Sequence, residues 1–346
     1  MLYIKRYRCI SPQQTFSEIA LDKLQDAVGH KLKAIEPPYP EIPAGILRRM
    51  GKAVRMGVGA ALPLLGDPAD GIIIGTSNGG MEDSIRFLNQ LIEYEEGMLA
   101  PGNFVQSTAN AIAAQLGMIS ANRGYNSTHV HRGHAFENAL IDASLLLAEN
   151  PHNQYIVGAV DEISTYNYHI EKLGGWYKKE EIGNKDLYSG ETAGTLAGEG
   201  ASMFLVNKRK SEASAQLNGL SIFHCRSEGE VSARLPEFLE NHLAKDKSID
   251  LLLNGENGDS RLLGFYTEVE KVMGDEPTVA RFKHMTGEYP TVSGAAVWLG
   301  CFFLDGHALP AHMIKRKGVE KKIERILIYN NYKGLQHSFI LLSAIS

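Results

Sequence analysis

The stretch "NRGYNSTHVHRGHAF", residues 122–136, concentrates side chains that can do chemistry. His129, His131 and His134 fall within six residues, with Arg132 and Gly133 between the last two. Imidazole ligates metals, exchanges protons near neutral pH and can act as a nucleophile. In an extended chain His129 and His131 share a side, and His134 can approach from a first helical turn, a disposition that suits zinc. The charge of Arg132 opposes a metal, and no Asp or Cys nearby completes a ligand set. The same residues suit a catalytic turn, the altered remains of one, or polar side chains that fill space.

The elements that must position them are readable from periodicity. "LYIKRYRCI" alternates as a strand, and residues 11–43 read as a polar surface excursion with prolines near its end. Helical spacing runs through "AGILRRMGKAVRMGVGAALPLL", followed by a buried strand and tight turn at "GIIIGTSNGG" and a helix at "MEDSIRFLNQLIEY". "NFVQSTANAIAAQLGMI" reads as a tightly packed helix of small residues. The histidine segment then leads into the helix "HAFENALIDASLLLAEN" and the strand "QYIVGAV". After the glycine-rich turn and strand "AGTLAGEGASMFLVNK", the polar stretch "NKRKSEASAQLNG" is the boundary between an N-terminal half, 1–206, and a C-terminal half, 216–346. Strands and helices alternate again beyond it, so the class is α/β, with two similar halves that suggest internal duplication.

Composition bounds the function. The 346 residues suffice for a sizeable core, and a net charge of -5 gives no electrostatic case for nucleic acid. The basic run "KRKGVEKKIER" reads as a solvated face, with a docking patch for an acidic carrier as its alternative. Cys9, Cys225 and Cys301 show no paired spacing and imply a reducing compartment. The N-terminus lacks an apolar signal region, and no apolar run reaches the roughly 18 residues that span a bilayer, so the expected location is cytoplasmic, without membrane contact.

Five segments, in order, resemble the β-ketoacyl-acyl-carrier-protein synthases of the thiolase superfamily. "LRRMGKAVRMGVGAA" is similar to that family's "RRMDRxxxxAxxAA" helix, and "GTSNGGMED" to its "GTGxGGxE" turn. "STANAIAAQLG" resembles its small-residue dimer helix. "AGTLAGEGASMFLV" matches "DGFVxGEGAGxLVLE" with Gly198, Glu199, Gly200 and Ala201 in register. "KHMTGEYPTVSGAA" resembles "KSxTGHxxGAAG" with Lys283, Thr286, Gly287, Gly294 and Ala295 in place. The resemblance covers residues 40–346 and implies a thiolase-like αβαβα fold.

In that family a cysteine at a helix N-terminus is acylated, and two histidines assist decarboxylative condensation. The pattern "TACxSGxxA" falls on the opening stretch. Anchoring on Thr128 and Gly133 puts Val130 at the cysteine, whereas counting from Gly117 puts His129 there. Neither is a thiol. "NGENGD" puts Asn254 at the first histidine, and "TGEYPTVSG" puts Glu288 at the second. Asn does not exchange a proton near pH 7, and a carboxylate repels an enolate. Lys283 is retained, with a salt bridge to Glu288 or Glu199 as its structural reading, and the glycine gate survives only as Asn330 and Gly334 in "NNYKGLQHS". His131, Arg132, His134, Tyr332 and Gly334 are the pocket candidates.

The resemblance thus implies a non-catalytic, chain-length-factor-like subunit supporting acyl-carrier-protein chain elongation in fatty-acid, polyketide or aryl-polyene-type biosynthesis. Its implied partners are a paralogous active ketosynthase or a second copy, and acyl carrier protein, with no cofactor. Dimerisation is expected through residues 107–118 and the strand that follows. The alternatives are an acyltransferase or condensing enzyme using His129 or His131 with Glu288 and Lys283, and a histidine metal site on an inactive scaffold.

Overall fold

The computed structural model describes residues 2–99, 101–244 and 246–345. Thirteen strands are defined among them: β1 (Leu2–Ile10), β2 (Lys31–Leu32), β3 (Gly71–Gly75), β4 (Tyr125–His129), β5 (Gln154–Asp161), β6 (Ala197–Gly198), β7 (Gly200–Asn207), β8 (Ala215–His224), β9 (Leu251–Asn254), β10 (Thr278–Arg281), β11 (Ile314–Arg316), β12 (Arg325–Tyr332) and β13 (Gln336–Ala344). Eleven form one sheet in the order β11-β10-β9-β12-β13-β8-β1-β7-β5-β3-β4, and β2 pairs with β6.

The sheet repeats itself. In the N-terminal half β3 runs parallel to β4 and β5, β5 antiparallel to β7, and β7 antiparallel to β1. In the C-terminal half β9 runs parallel to β10 and β12, β12 antiparallel to β13, and β13 antiparallel to β8. The halves join where β1 pairs with β8, inside the continuous sheet. Strand β8 starts within the polar boundary stretch, so residues 208–214 connect β7 to β8.

Three main cores give the layering. Ala53, Val54, Ile112 and Leu116, on helices Lys52–Ala61 and Ala111–Ile119, pack on one outer face of the N-terminal strands. Phe136, Leu140, Trp298 and Phe303, on helices Ala135–Glu149 and Ser293–Leu304, fill the centre. Val231, Leu235, Phe265 and Tyr266, on helices Glu228–His242 and Leu263–Met273, cover the other outer face. This is the expected αβαβα arrangement, and it buries the β3 run "GIIIG" and the β9 run "LLLN" on both sides.

Three local expectations are corrected. The helix expected across 44–65 breaks at Met50–Gly51, where Gly51 is extended at φ −60, ψ 162 and caps the second helix. The helix expected across 103–119 breaks between Gln106 and Ala111, where the Ser84 hydroxyl donates to the Ser107 carbonyl at 2.7 Å. The 11–43 excursion is stitched to the core: Leu21 and Leu32 are buried, and the Gln13 amide donates to the Met285 carbonyl at 2.8 Å.

The sheet ends differ. Strand β10 is covered by the antiparallel β11, whereas its counterpart β4 has no strand on its outer side among the described residues. Tyr125 donates its N–H to the Asp70 carbonyl, and the His129 carbonyl accepts from Thr76, both on the β3 side. By alternation, the backbone groups of Asn126 and Thr128 face the open edge. Exposed Met118 and Val130 flank it.

Candidate functional site

Strand β4 delivers the histidine segment to a sharp turn. His129 ends the strand, Val130 and His131 follow, a single 3-10 turn spans Arg132–His134, and the helix Ala135–Glu149 begins. Arg132 sits at φ +50, a left-handed conformation that costs a side-chain-bearing residue about 1–2 kcal/mol. Gly133 is required because any Cβ there would overlap Tyr332. Its N–H donates to Gln336 Oε1 at 2.9 Å, which locks the turn against β13.

The turn sends its three histidines to three places. His129 turns toward the following helix, its Nε2 at 2.9 Å from Asp142 Oδ2, which also accepts from the Tyr125 hydroxyl. His131 is exposed and accepts at Nδ1 from Asn138 at 3.0 Å. His134 is buried, its Nε2 donating to the His337 carbonyl at 3.1 Å. Burial, with His224, His131 and His337 adding repulsion, pushes its pKa down to about 4. Rings of His131, His134 and His224 meet at centroid separations of 5.0–5.7 Å. That is ring packing. Among the described residues no group of three His, Cys, Asp or Glu side chains is placed to hold a metal, so the histidine metal site is not assembled.

Val130, 56% exposed, lines an open cleft with His131, Arg132, His224, Arg226 and Tyr332, and Gly334 lies on the same wall. Of the two residues that the sequence offered for the nucleophile position, Val130 therefore faces the cleft and His129 does not. His134 lies beneath the cleft. No thiol replaces the missing one. Cys9 and Cys301 are buried in strand and helix, and burial raises the pKa of each. Cys225 stands between two cleft residues, but chain alternation turns its thiol away to donate to Glu230 Oε2 at 2.9 Å.

The C-terminal counterpart of this turn lies between β10 and the helix Ser293–Leu304. Lys283, fully buried, donates to Glu288 Oε2 at 2.8 Å, which selects Glu288 over Glu199 as its partner. Burial pulls the lysine pKa below its ordinary value, with the Glu288 charge opposing. Glu199 is taken elsewhere. It accepts from the backbone N–H of Ala34 and of Ile163 and pairs with Lys52. Glu288 is held by its own backbone, whose N–H donates to the Leu196 carbonyl at 2.8 Å and whose carbonyl accepts from Gly198 at 3.0 Å. Gly287 allows this approach at φ +69, where a Cβ would strike the Ala197 carbonyl.

Asn254, which the family motif puts at the first histidine, is not brought to Glu288. Asn254 points away: its amide donates to Glu270 Oε1 at 2.6 Å, and its oxygen accepts from the Glu256 N–H. Asn257 takes the place opposite Glu288 and donates to Oε2 at 2.8 Å. Only a count of three residues along "NGENGD" separates them, and the reverse at Gly258, φ +78, lies beyond local reading. Glu288 Oε1 has no partner among the described residues.

Glu288 and Asn257 line an inner chamber with Glu162, Glu171, Tyr177 and Tyr332. Its volume is about 40 Å³, room for about three waters. Neither His129 nor His131 lines it, so the alternative His/Glu acyl-transfer set is not brought together. Tyr332 and Lys333 form the wall shared with the outer cleft, and Lys333 is anchored by Glu171. Beneath both turns Glu137 is fully buried and accepts from Ser338 at 2.8 Å, and burial pushes its pKa up to about 7.

The basic run is largely neutralised. Lys315 pairs with Glu256 and Glu270 at 2.6 and 2.8 Å, Lys321 with Asp250 at 2.8 Å, Arg316 with Asp275, and Arg325 with Glu324 at 3.5 Å. Among the described residues no helix is long and apolar enough to cross a membrane.

Residues 23–174 match the family model described as beta-ketoacyl synthase, N-terminal domain. No curated protein sequence is matched. Solved structures are matched over essentially the whole chain. One is the ishigamide ketosynthase/chain length factor, at TM-score 0.78 and 12% identity, covering 100% of this chain and 99% of that one. Another is the complex of a ketosynthase (ApeO) with its chain length factor (ApeC) from Xenorhabdus doucetiae, at TM-score 0.77 and 14% identity, covering 99% and 98%. A third, AntDE:AntF, holds a type II acyl-carrier protein with its ketosynthase, at TM-score 0.78 and 11% identity, covering 99% of both. At such identities the likeness carries the fold: the chain has the thiolase-like ketosynthase architecture.

Proposed function

We propose that this chain, a ketosynthase fold without a nucleophile at its turn, is a non-catalytic, chain-length-factor-type subunit. It supports elongation of acyl chains on acyl carrier protein beside an active ketosynthase, in fatty-acid, polyketide or polyene synthesis. The observation that carries this reading is Val130, exposed at the head of the helix Ala135–Glu149 with no thiol beside it. Acylation needs an attacking electron pair, which valine lacks.

The C-terminal turn supports the same reading. Asn257 and Lys283 both donate to one oxygen of Glu288, so neither donor is free to act on a substrate. A carboxylate at this place opposes the negative charge that an enolate develops. The chamber is also too small for an acyl thioester beside a second substrate. The open edge of β4 supports a partner, since an unpaired strand offers its outward N–H and C=O groups to another chain. The similar solved structures include a ketosynthase with its chain length factor and a ketosynthase with its carrier protein, which supports those partner classes.

Co-expression with a candidate active ketosynthase from the same organism, followed by size-exclusion chromatography, tests the reading. A stable heterodimer, and an isolated chain that neither takes up acyl groups from acyl carrier protein nor extends them, is the expected result. A homodimer that elongates acyl chains by itself overturns it.

A further inference from the structure

The closed turn is held from outside as well as from within. Residues 11–43 reach it through bonds that converge on two residues of the short helix Lys283–Thr286. The Gln13 amide donates to the Met285 carbonyl at 2.8 Å. The Asn184 amide donates to the His284 carbonyl at 2.9 Å and to the Gln25 carbonyl at 3.0 Å, while its oxygen accepts from the Ala27 N–H. The third tie runs through two imidazoles. His284 is buried, His312 on the turn Ala311–Met313 is half-buried, and His312 Nε2 lies 2.8 Å from the carbonyl of buried Leu21.

The proton positions in this tie follow from its donors and acceptors. A carbonyl only accepts, so His312 carries a hydrogen on Nε2, and its Nδ1 accepts when the ring is neutral. His284 Nε2, 2.8 Å from that Nδ1, is therefore the donor. His284 Nδ1 is left to accept from the Tyr188 hydroxyl at 3.3 Å, whose oxygen already accepts from the His284 N–H at 3.1 Å. The relay runs one way, from Tyr188 to His284 to His312 to Leu21. With the bond between the rings kept, a further proton can only stand on His284 Nδ1, against the tyrosine hydroxyl.

The surroundings oppose that charge. Arg281 lies over the Tyr188 ring at 3.7 Å, and Lys283 on the same helix as His284 turns to Glu288. Glu256 is taken by Arg281 and Lys315, and Glu270 by Lys315. On the facing segments Asp22, Lys23 and Asp186 are exposed, and Asp26 pairs with Lys185 at 3.3 Å. Among the described residues no carboxylate bonds either ring. Burial, with His312 and Arg281 adding repulsion, pushes the His284 pKa down to about 3, so the stability it contributes is whole above the ordinary value of 6.5 and falls as pH drops below it. Half-buried His312 has another course: it takes the proton, turns into water and drops the Leu21 carbonyl. We propose that this relay is an acid-released clasp, which below about pH 6 frees the segment around Leu21 from the closed turn while the sheet stays folded. The inference concerns the isolated chain and does not depend on the partner reading.

Hydrogen exchange of the full chain, read by mass spectrometry at about pH 7.5 and about pH 5 and corrected for the intrinsic amide rates, tests the clasp. Peptides covering residues 12–32 should lose protection at least about tenfold at the lower pH, while those of β12 and β13 keep theirs. His312→Gln retains a donor for Leu21 and an acceptor for His284 without taking a proton, and should protect residues 12–32 equally at both pH values. Unchanged protection of residues 12–32 at the lower pH, the same loss in His312→Gln, or an equal loss in β12 and β13 would each overturn the proposal. Should the variant not fold, long-range proton–nitrogen NMR of the natural chain decides. A single hydrogen, on Nε2 of each ring, is expected at about pH 7.5, and protection that falls while both rings keep that state overturns the clasp.

Discussion

The turn after β4 and the turn after β10 hold equivalent places in a duplicated fold, yet they have diverged in opposite senses. The N-terminal turn is open. Val130 faces the cleft, Arg132 is exposed and strained, and the neighbouring strand edge is unpaired among the described residues. The C-terminal turn is closed. Lys283, Glu288 and Asn257 satisfy each other around one carboxylate oxygen, and β11 covers the strand edge. On the proposed non-catalytic reading, the difference separates two ways a site goes silent. One half has lost its reactive group and kept its access. The other has kept polar groups and spent them on each other.

The largest expected effect lies in the closed turn. Lys283→Met leaves Glu288 buried without its cation and should destabilise the chain by about 3–5 kcal/mol in urea unfolding. The double variant Lys283→Met with Glu288→Leu should recover most of that loss. Were it no more stable than the single variant, the closed turn would not be a self-contained pair.

The open edge comes next. Thr128→Pro removes an outward N–H without touching the β3 ladder. It should weaken association with the partner by about 2 kcal/mol, roughly thirtyfold, while circular dichroism of the isolated chain is unchanged. Undiminished association would move the interface off β4.

A smaller effect tests the ground beneath both turns. The Glu137 pKa, raised to about 7, means that the folded chain keeps a proton which the unfolded chain sheds above its ordinary value of 4.5. Its stability contribution therefore falls as pH rises across that window and levels off above it. Glu137→Gln should match the natural chain near pH 5 and exceed it by about 1–2 kcal/mol at pH 8. His134 and His337, both depressed to about 4 by burial, add the opposite slope as pH falls below 6.5. They are common to both chains and cancel in the difference. An equal pH dependence in the two chains would mean that Glu137 is ionised throughout.

The smallest effect belongs to the open turn. Val130→Cys changes an exposed residue and should alter stability by less than about 0.5 kcal/mol. The new thiol should react readily with iodoacetamide, read by intact mass, while chain elongation stays absent because the C-terminal turn supplies no free acid or base. Turnover in this variant would make the closed turn a dormant catalyst.

The sequence carried most of this architecture and part of the site. "AGEGA" and "KHMTGEYP" announced segments that do meet, since Gly198 and Glu288 exchange a backbone bond. "THVHRG" announced the turn, and only the fold could choose between Val130 and His129, because strand alternation sends His129 to Asp142. Asn257 was hidden, because its approach to Glu288 depends on a reversal at Gly258 and on a segment 31 residues away. The breaks at Gly51 and at Ser107–Asn110 were hidden for the same reason. Each meets a neighbour distant in the chain, Asp83 in one case and Ser84 in the other. The repeat itself is legible in strand order but not in residue identity.

Asp161 ends β5 and is fully buried. It accepts from the N–H groups of Ser77 and Asn78 at 2.8 and 2.7 Å, and from the Thr291 hydroxyl at 2.8 Å, just before the helix Ser293–Leu304. One carboxylate thus fastens a loop of the first repeat to a loop of the second, at the end of the sheet opposite the Leu2–Ile4 pairing of β1 with β8. Neither repeat can peel away without stranding that charge in an apolar interior. The duplicated chain is therefore one cooperative unit. It should melt in a single calorimetric transition, and neither half, expressed alone, should fold as a domain.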